Sequence, residues 1–240
     1  MHVVDEEKRS VTCSCGKVFN QCIFWGEIDK KISNRNNLTL CEAYQIIFET
    51  FEQVFGKQYL LLDSSKLLRT LKKIITIENI EIKVVFLIKD VRSFTVSQTD
   101  AIKRIHGKGT LKALFHNSIY FFLIWYFNNI LYRYFFKKNS IPFIQIGYEE
   151  LCLYPDHILP KICDFLEIQM DDNMLNINNS KSHVFRGNRM RSQKDKHKLM
   201  YDNRWFARNQ LILPSALFPF ILHYNAKQVY SNDASQIWKK

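Results

Sequence analysis

Between residues 37 and 55, Leu38, Ala43, Ile46, Ile47, Phe51, Val54 and Phe55 recur close to every 3.6 residues, which puts them on one face of a helix. Thr39, followed three positions later by Glu42, forms a capping-box pair that marks where this helix starts. Beyond it the pattern changes. Residues 59–62 are a short apolar run ending in Asp63-Ser64-Ser65-Lys66, and residues 67–77 return to helical spacing. Residues 82–88 (IKVVFLI) are β-branched and nearly continuously apolar, the pattern of a strand buried on both faces of a parallel sheet, and they end at Lys89-Asp90. A third run, residues 142–146, leads through Gly147-Tyr148-Glu149-Glu150-Leu151 and Pro155 into a predicted helix over residues 158–166. Strands alternating with helices predict an α/β fold with a mainly parallel sheet flanked by helices. With no internal repeat and no Pro/Gly/Ser-rich linker in 240 residues, a single domain over 1–240 with one core is expected.

The aromatic run at residues 119–127 (IYFFLIWYF) is bounded by Asn117, Ser118, Asn128, Asn129 and Arg133. It falls short of the roughly 20 apolar residues a membrane span needs, so a buried core helix is expected. Residues 211–222 are apolar enough for a final packed helix, interrupted by Pro214 and Pro219. Composition agrees with a folded globular chain: 47% hydrophobic and 14% aromatic, with 7 Gly and 5 Pro. Lys and Arg number 34 against 23 Asp and Glu, a net charge of +11 that favours polyanionic partners. Much of the excess lies in residues 182–198, where Arg186, Arg189, Arg191, Lys194, Lys196 and Lys198 face one acid, Asp195; this segment reads as loop. Six cysteines and an N-terminus without an apolar signal region point to a reducing cytoplasm with free thiols. Cys13, Cys15 and Cys22 offer three thiolates at irregular spacing, whereas structural zinc usually takes four ligands from paired motifs. Packing or loop structure is therefore the expectation there, with no metal.

Read in order, these blocks resemble the bacterial branch of the sulfotransferase family over nearly the whole chain. Cys13-Ser14-Cys15-Gly16 with Cys22-Ile23-Phe24-Trp25 is similar to a cysteine-rich segment of that family. Asp63-Ser64-Ser65-Lys66 resembles the strand end that holds a lysine beside the transferring sulfuryl group. The resemblance makes Lys66 the catalytic candidate, since an ammonium there stabilises the charge that develops on the leaving phosphate. The block from Lys89 to Ser97 resembles the site for the 3'-phosphate of the donor, 3'-phosphoadenosine 5'-phosphosulfate, with Lys89 standing where the family has arginine. Lysine keeps the charge and loses the bidentate fork. If the strands before Lys66 and Lys89 are adjacent and parallel, both lysines reach a common site. Phe185-Arg186-Gly187-Asn188 resembles the basic glycine-containing loop that closes over the donor, which adds Arg186 and Gly187 as binding candidates. Tyr148-Glu149-Glu150-Leu151 resembles a segment whose role is mainly structural.

The resemblance also implies a Gly- and Ser-rich loop whose backbone N–H groups cradle the 5'-phosphosulfate. Residues 1–12 hold no Gly, one Ser and the acidic run Asp5-Glu6-Glu7, so an N-terminally truncated version of the fold is expected, with loss of an interior strand. No G-x-x-x-x-G-K-[ST] motif occurs, which argues against an ordinary P-loop nucleotide hydrolase. His183 and His106 are possible general bases by chemical type alone. The implied activity is sulfuryl transfer to a hydroxyl or amine on a small-molecule, glycan or lipid acceptor. The alternatives are a degenerate relative that at most binds adenosine 3',5'-bisphosphate, and a basic nucleic-acid-binding protein using residues 181–198, for which no recognition motif is present.

Overall fold

The computed structural model describes residues 12–33, 35, 37–56, 60, 68–107, 111–175, 183–184 and 201–230. Residues 59, 61 and 62 of the strand expected at 59–62, the candidates Lys66, Arg186 and Gly187, and residues 1–11 lie outside the described residues. The chain divides into two compact units. One comprises residues 1–81 and 176–197, the other residues 82–175 and 198–240.

The first unit begins with a narrow turn closed by an antiparallel bridge between Thr12 and Val18. A 3-10 turn at Phe19–Gln21 leads to α1 (Trp25–Ser33), α2 (Leu40–Phe55) and the short α3 (Leu68–Ile74). The capping box forms as the spacing predicts. Glu42 N–H donates to Thr39 Oγ1 at 3.3 Å and Glu42 Oε2 accepts from Thr39 N–H at 2.8 Å. The α2 helix ends at Gly56, whose φ of +57° is a left-handed cap that favours glycine. Cys13, Cys22, Phe24, Ile28 and Ile46 form the buried core, with Trp25, Phe51 and Phe55 packed against them.

The second unit is mostly helical around a two-stranded parallel sheet. It comprises β1 (Val84–Ile88), α4 (Val91–His106), α5 (Leu111–Lys138), β2 (Phe143–Gly147), α6 (Tyr148–Leu153), α7 (Pro155–Leu166), and then α8 (Ile212–Leu217) and α9 (Pro219–Val229). The register runs from Val84 opposite Phe143 to Ile88 opposite Gly147, and the pair of helices α4 and α5 makes the crossover that parallel strands require. The α/β class and parallel pairing follow the sequence pattern. Burial of β1 on both faces does not: Leu87 is 46% exposed; among the described residues β1 has a single partner strand.

The aromatic run lies within α5, which buries one face and not its whole circumference: Phe121, Phe122 and Trp125 are buried, whereas Tyr120 and Phe127 of the same run are exposed. No helix among the described residues is long and apolar enough to cross a membrane. Phe122 and Trp125 meet Ile88, Val91, Val96, Leu211, Ile221 and Val229 in the core of this unit. Near the C-terminus the apolar run is interrupted only at Pro219, the first residue of α9, with Phe218 separating α8 from α9; Pro214 lies within the first turn of α8, where its missing N–H costs no intrahelical bond.

Candidate functional site

Two clusters of chemistry-bearing side chains stand out, one in each unit. In the second unit, β1 ends at Ile88 and the chain turns through Lys89 and Asp90 into α4. Lys89 is fixed from several sides. Its carbonyl accepts from Trp125 Nε1 at 2.8 Å, its Nζ donates to Asp202 Oδ2 at 2.8 Å, and the ammonium lies 5.4 Å from the centroid of the Tyr148 ring. Asp202 is itself gripped by Arg204, whose Nε and Nη2 reach its two carboxylate oxygens at 2.7 and 2.8 Å. Those Arg204 bonds outweigh the effect of burial and, with Lys89, hold the Asp202 carboxyl below the ordinary carboxylate range. Ser93 Oγ donates to the backbone carbonyl of Asp202 at 2.9 Å. Ser97 sits one turn further along α4, half-buried, on the face that carries Ser93. One more turn on, Asp100 Oδ2 pairs with Arg204 at 3.2 Å and Arg208 at 3.4 Å.

Asp90 supports this strand end from beneath. It is fully buried and caps α4. Its Oδ1 accepts from Arg92 N–H at 2.8 Å and Arg92 Nε at 3.0 Å; its Oδ2 accepts from Arg92 Nη2 at 2.6 Å, Asn225 Nδ2 at 2.8 Å and Tyr230 Oη at 3.0 Å. Burial alone would raise its pKa, but the Arg92 hydrogen bonds and charge, helped by Asn225, leave it below the ordinary aspartate value. The Arg92 guanidinium lies 3.8 Å from the centroid of the Trp205 ring, which stacks in turn on Phe206. Val91 N–H donates to Asn225 Oδ1 at 2.8 Å, so Asp90 and Asn225 between them take the first amides of α4. Glu149, completely buried, accepts from Asp90 N–H at 2.9 Å through Oε2, while its Oε1 has no hydrogen-bond partner among the described residues; burial pushes its pKa up to about 7.

The second cluster belongs to the first unit. Cys13 and Cys15 sit in the turn bridged by Thr12 and Val18, Cys22 ends the 3-10 turn before α1, and His183 comes from a distant stretch of sequence. Cys22 Sγ lies 3.7 Å from Cys13 Sγ, 3.7 Å from Cys15 Sγ and 3.2 Å from His183 Nδ1. All four atoms fall within 4.8 Å of one another. Cys13 and Cys22 are buried, His183 is half-buried and Cys15 is exposed. The His183 stretch is docked by its backbone: its carbonyl accepts from Trp25 Nε1 at 2.8 Å, Ser14 N–H donates to Val184 O at 3.0 Å, and Val184 N–H donates to Ser14 Oγ at 2.8 Å. Burial pushes the Cys13 thiol up to about 12 and lowers the His183 pKa, which favours the neutral imidazole.

Of the residues the sequence put forward, the structure places Lys89 and Ser97 on one strand end and the helix that follows it. Tyr148 has the structural position expected of it, at the start of α6 beneath the Lys89 ammonium. Asp202 and Arg204 were missed, since no local motif points to them and Asp202 reaches Lys89 across 113 residues; Glu149 was seen only as part of a structural segment. His183 was weighed as a base and not as a ligand, because nothing in its own neighbourhood signals the three cysteines 161 or more residues away. Neither a protein-family model, nor a curated protein, nor a solved structure matches the chain.

Proposed function

We propose that this chain is a sulfotransferase-type protein that holds the 3'-phosphate end of 3'-phosphoadenosine 5'-phosphosulfate at the carboxyl end of β1. The reaction is transfer of the sulfuryl group to an acceptor hydroxyl or amine. The observation that carries the reading is the position of Lys89, since ligands of α/β folds bind where parallel strands end and helices begin. Four cations, Lys89, Arg92, Arg204 and Arg208, meet three ionised acids there, Asp90, Asp100 and Asp202, so the site retains one positive charge for an anion while the adjoining Glu149, with a pKa of about 7, is protonated, and loses it as Glu149 ionises. The first amides of α4 are taken internally, which leaves the phosphate to the side chains of Lys89 and Ser97. Lys66, Arg186 and Gly187 enter this reading through the sequence resemblance alone.

In the transfer, the acceptor atom bonds to sulfur and gives up its proton to a base or to water while the bond from sulfur to the bridging oxygen breaks, and the electron pair leaves on the 5'-phosphate. A cation at the bridging oxygen lowers that barrier, the part the resemblance gives Lys66. A second reading, a relative that binds adenosine 3',5'-bisphosphate without catalysis, is favoured by Asp202, which already neutralises Lys89. Transfer of labelled sulfate from the donor to a panel of hydroxyl and amine acceptors separates the two. Transfer that falls at least tenfold in Lys89→Ala supports the first reading; bisphosphate binding without transfer supports the second; neither binding nor transfer refutes both.

A further inference from the structure

We propose that Cys13, Cys15, Cys22 and His183 form a structural zinc site in which a single Zn²⁺ takes all four side chains as ligands. The inference is independent of any donor chemistry and rests on the geometry of the cluster. Tetrahedral zinc has Zn–S bonds of about 2.3 Å and Zn–N bonds of about 2.0–2.1 Å, which put neighbouring sulfurs ~3.8 Å apart and sulfur and nitrogen ~3.6 Å apart. The two sulfur pairs at 3.7 Å meet that requirement, and the sulfur–nitrogen pair at 3.2 Å needs a shift of only a few tenths of an ångström. A disulfide, by contrast, requires sulfurs at about 2.0 Å, and the thiols here are free.

Three thiols and an imidazole converging on one point need an explanation that packing does not give. Packing accounts for Cys13 and Cys22, which lie in the core beside Phe24 and Ile28. It does not account for Cys15, whose exposed side chain still turns its sulfur toward Cys22, nor for His183, which aims Nδ1 at the same sulfur. The surrounding framework is built to hold the set. Gly16, with φ of +86° and open space around it, lets the chain reverse directly after Cys15; Gly16 N–H donates to Cys13 O at 2.9 Å and Cys13 N–H donates to Lys17 O at 2.8 Å. The His183 ring is placed by the Phe55 ring at 5.3 Å and the Phe24 ring at 6.3 Å, and its backbone by Trp25 and Ser14.

Four protein ligands leave no open position, so the ion's role is structural and not catalytic. Zinc binding displaces the three thiol protons and gives a site of net charge −1. Its effect is to fasten the 183–184 stretch to the N-terminal turn, closing a loop of more than 160 residues with one ion.

The test uses the full chain purified under reducing conditions with zinc present. Elemental analysis is expected to give one zinc ion per chain, falling to substoichiometric levels in Cys22→Ser and His183→Ala. Loss of a direct ligand should weaken affinity by more than the roughly 10–100-fold seen when only a supporting contact is removed. Cobalt added to the apo chain should give a thiolate-to-cobalt charge-transfer band and tetrahedral ligand-field absorption. Because ligand variants can fail to fold, His183→Cys provides a check: it should retain stoichiometric zinc through four thiolates and strengthen the cobalt charge-transfer band. Cys41→Ser, outside the cluster, should keep the zinc. A folded chain that takes up no zinc and shows no charge-transfer band would overturn the proposal. So would zinc retained equally in Cys22→Ser and His183→Ala, or a native disulfide among Cys13, Cys15 and Cys22.

Discussion

Replacing Asp90 with asparagine keeps its shape, yet it should cost the second unit almost as much as replacing it with alanine. The carboxylate accepts five hydrogen bonds, three from Arg92, one from Asn225 and one from Tyr230, and has no solvent exposure. An amide has one acceptor oxygen. If its nitrogen takes the place of Oδ2, it faces the donors Arg92 Nη2 and Asn225 Nδ2; if it takes the place of Oδ1, it faces Arg92 N–H and Nε. Either orientation sets donors against donors, which leaves buried groups unsatisfied. Removing one partner of a buried charge pair costs about 3–5 kcal/mol. The Arg92 side chain is about a quarter exposed and can turn partly to water, so ~3 kcal/mol is expected for both variants, a large share of a typical 5–15 kcal/mol. Urea unfolding followed by circular dichroism measures this through the midpoint at unchanged slope. The depressed Asp90 pKa means that its contribution is present above the unfolded aspartate pKa and is lost as pH falls through the folded one, so Asp90→Asn should also flatten the acid limb of stability. An asparagine variant within 1 kcal/mol of wild type would refute the reasoning.

Glu149 should act with the opposite sign. Its folded pKa of about 7 lies above the reference value of 4.5, so its contribution is complete below pH 4.5 and disappears as pH rises through 7. Between pH 5 and pH 8, wild type should lose up to about 3 kcal/mol relative to Glu149→Gln, measured by urea midpoints at each pH; parallel profiles would contradict this. At Gly147 a Cβ would overlap the Val229 backbone oxygen, so Gly147→Ala must push α9 away from β2. Overpacking of this kind costs about 1–3 kcal/mol, and a Tm lowered by about 5 °C is expected in scanning calorimetry; an unchanged Tm would show that the two segments are not held together.

The elements legible in the sequence were those whose signals are local. The capping box of Thr39 and Glu42, the apolar periodicity of α2 and the β-branched run of β1 each specify their structure within a few residues. A parallel sheet followed from the alternation of strands and helices, but the pairing of β1 with β2 in particular was not specified: the sequence set the 82–88 run beside the 59–62 run. What escaped were partners brought in from far along the chain. Asp202 on Lys89, Asn225 on Asp90 and His183 on Cys22 are separated by 113, 135 and 161 residues, and no periodicity or spacing rule carries across such gaps. The exposure of Leu87 was misjudged for a related reason: a continuous apolar run reads as doubly covered, but coverage of each face depends on which distant elements pack on it.

The central claim, that the end of β1 holds the 3'-phosphate of a phosphoadenosine donor, is tested most directly by calorimetric titration of the reduced, folded chain with adenosine 3',5'-bisphosphate. The account predicts one saturable site, weakened at least tenfold by Lys89→Ala and less by Ser97→Ala, with affinity that falls as salt is raised. No binding heat in the folded chain, or equal affinities for wild type and Lys89→Ala, would contradict it.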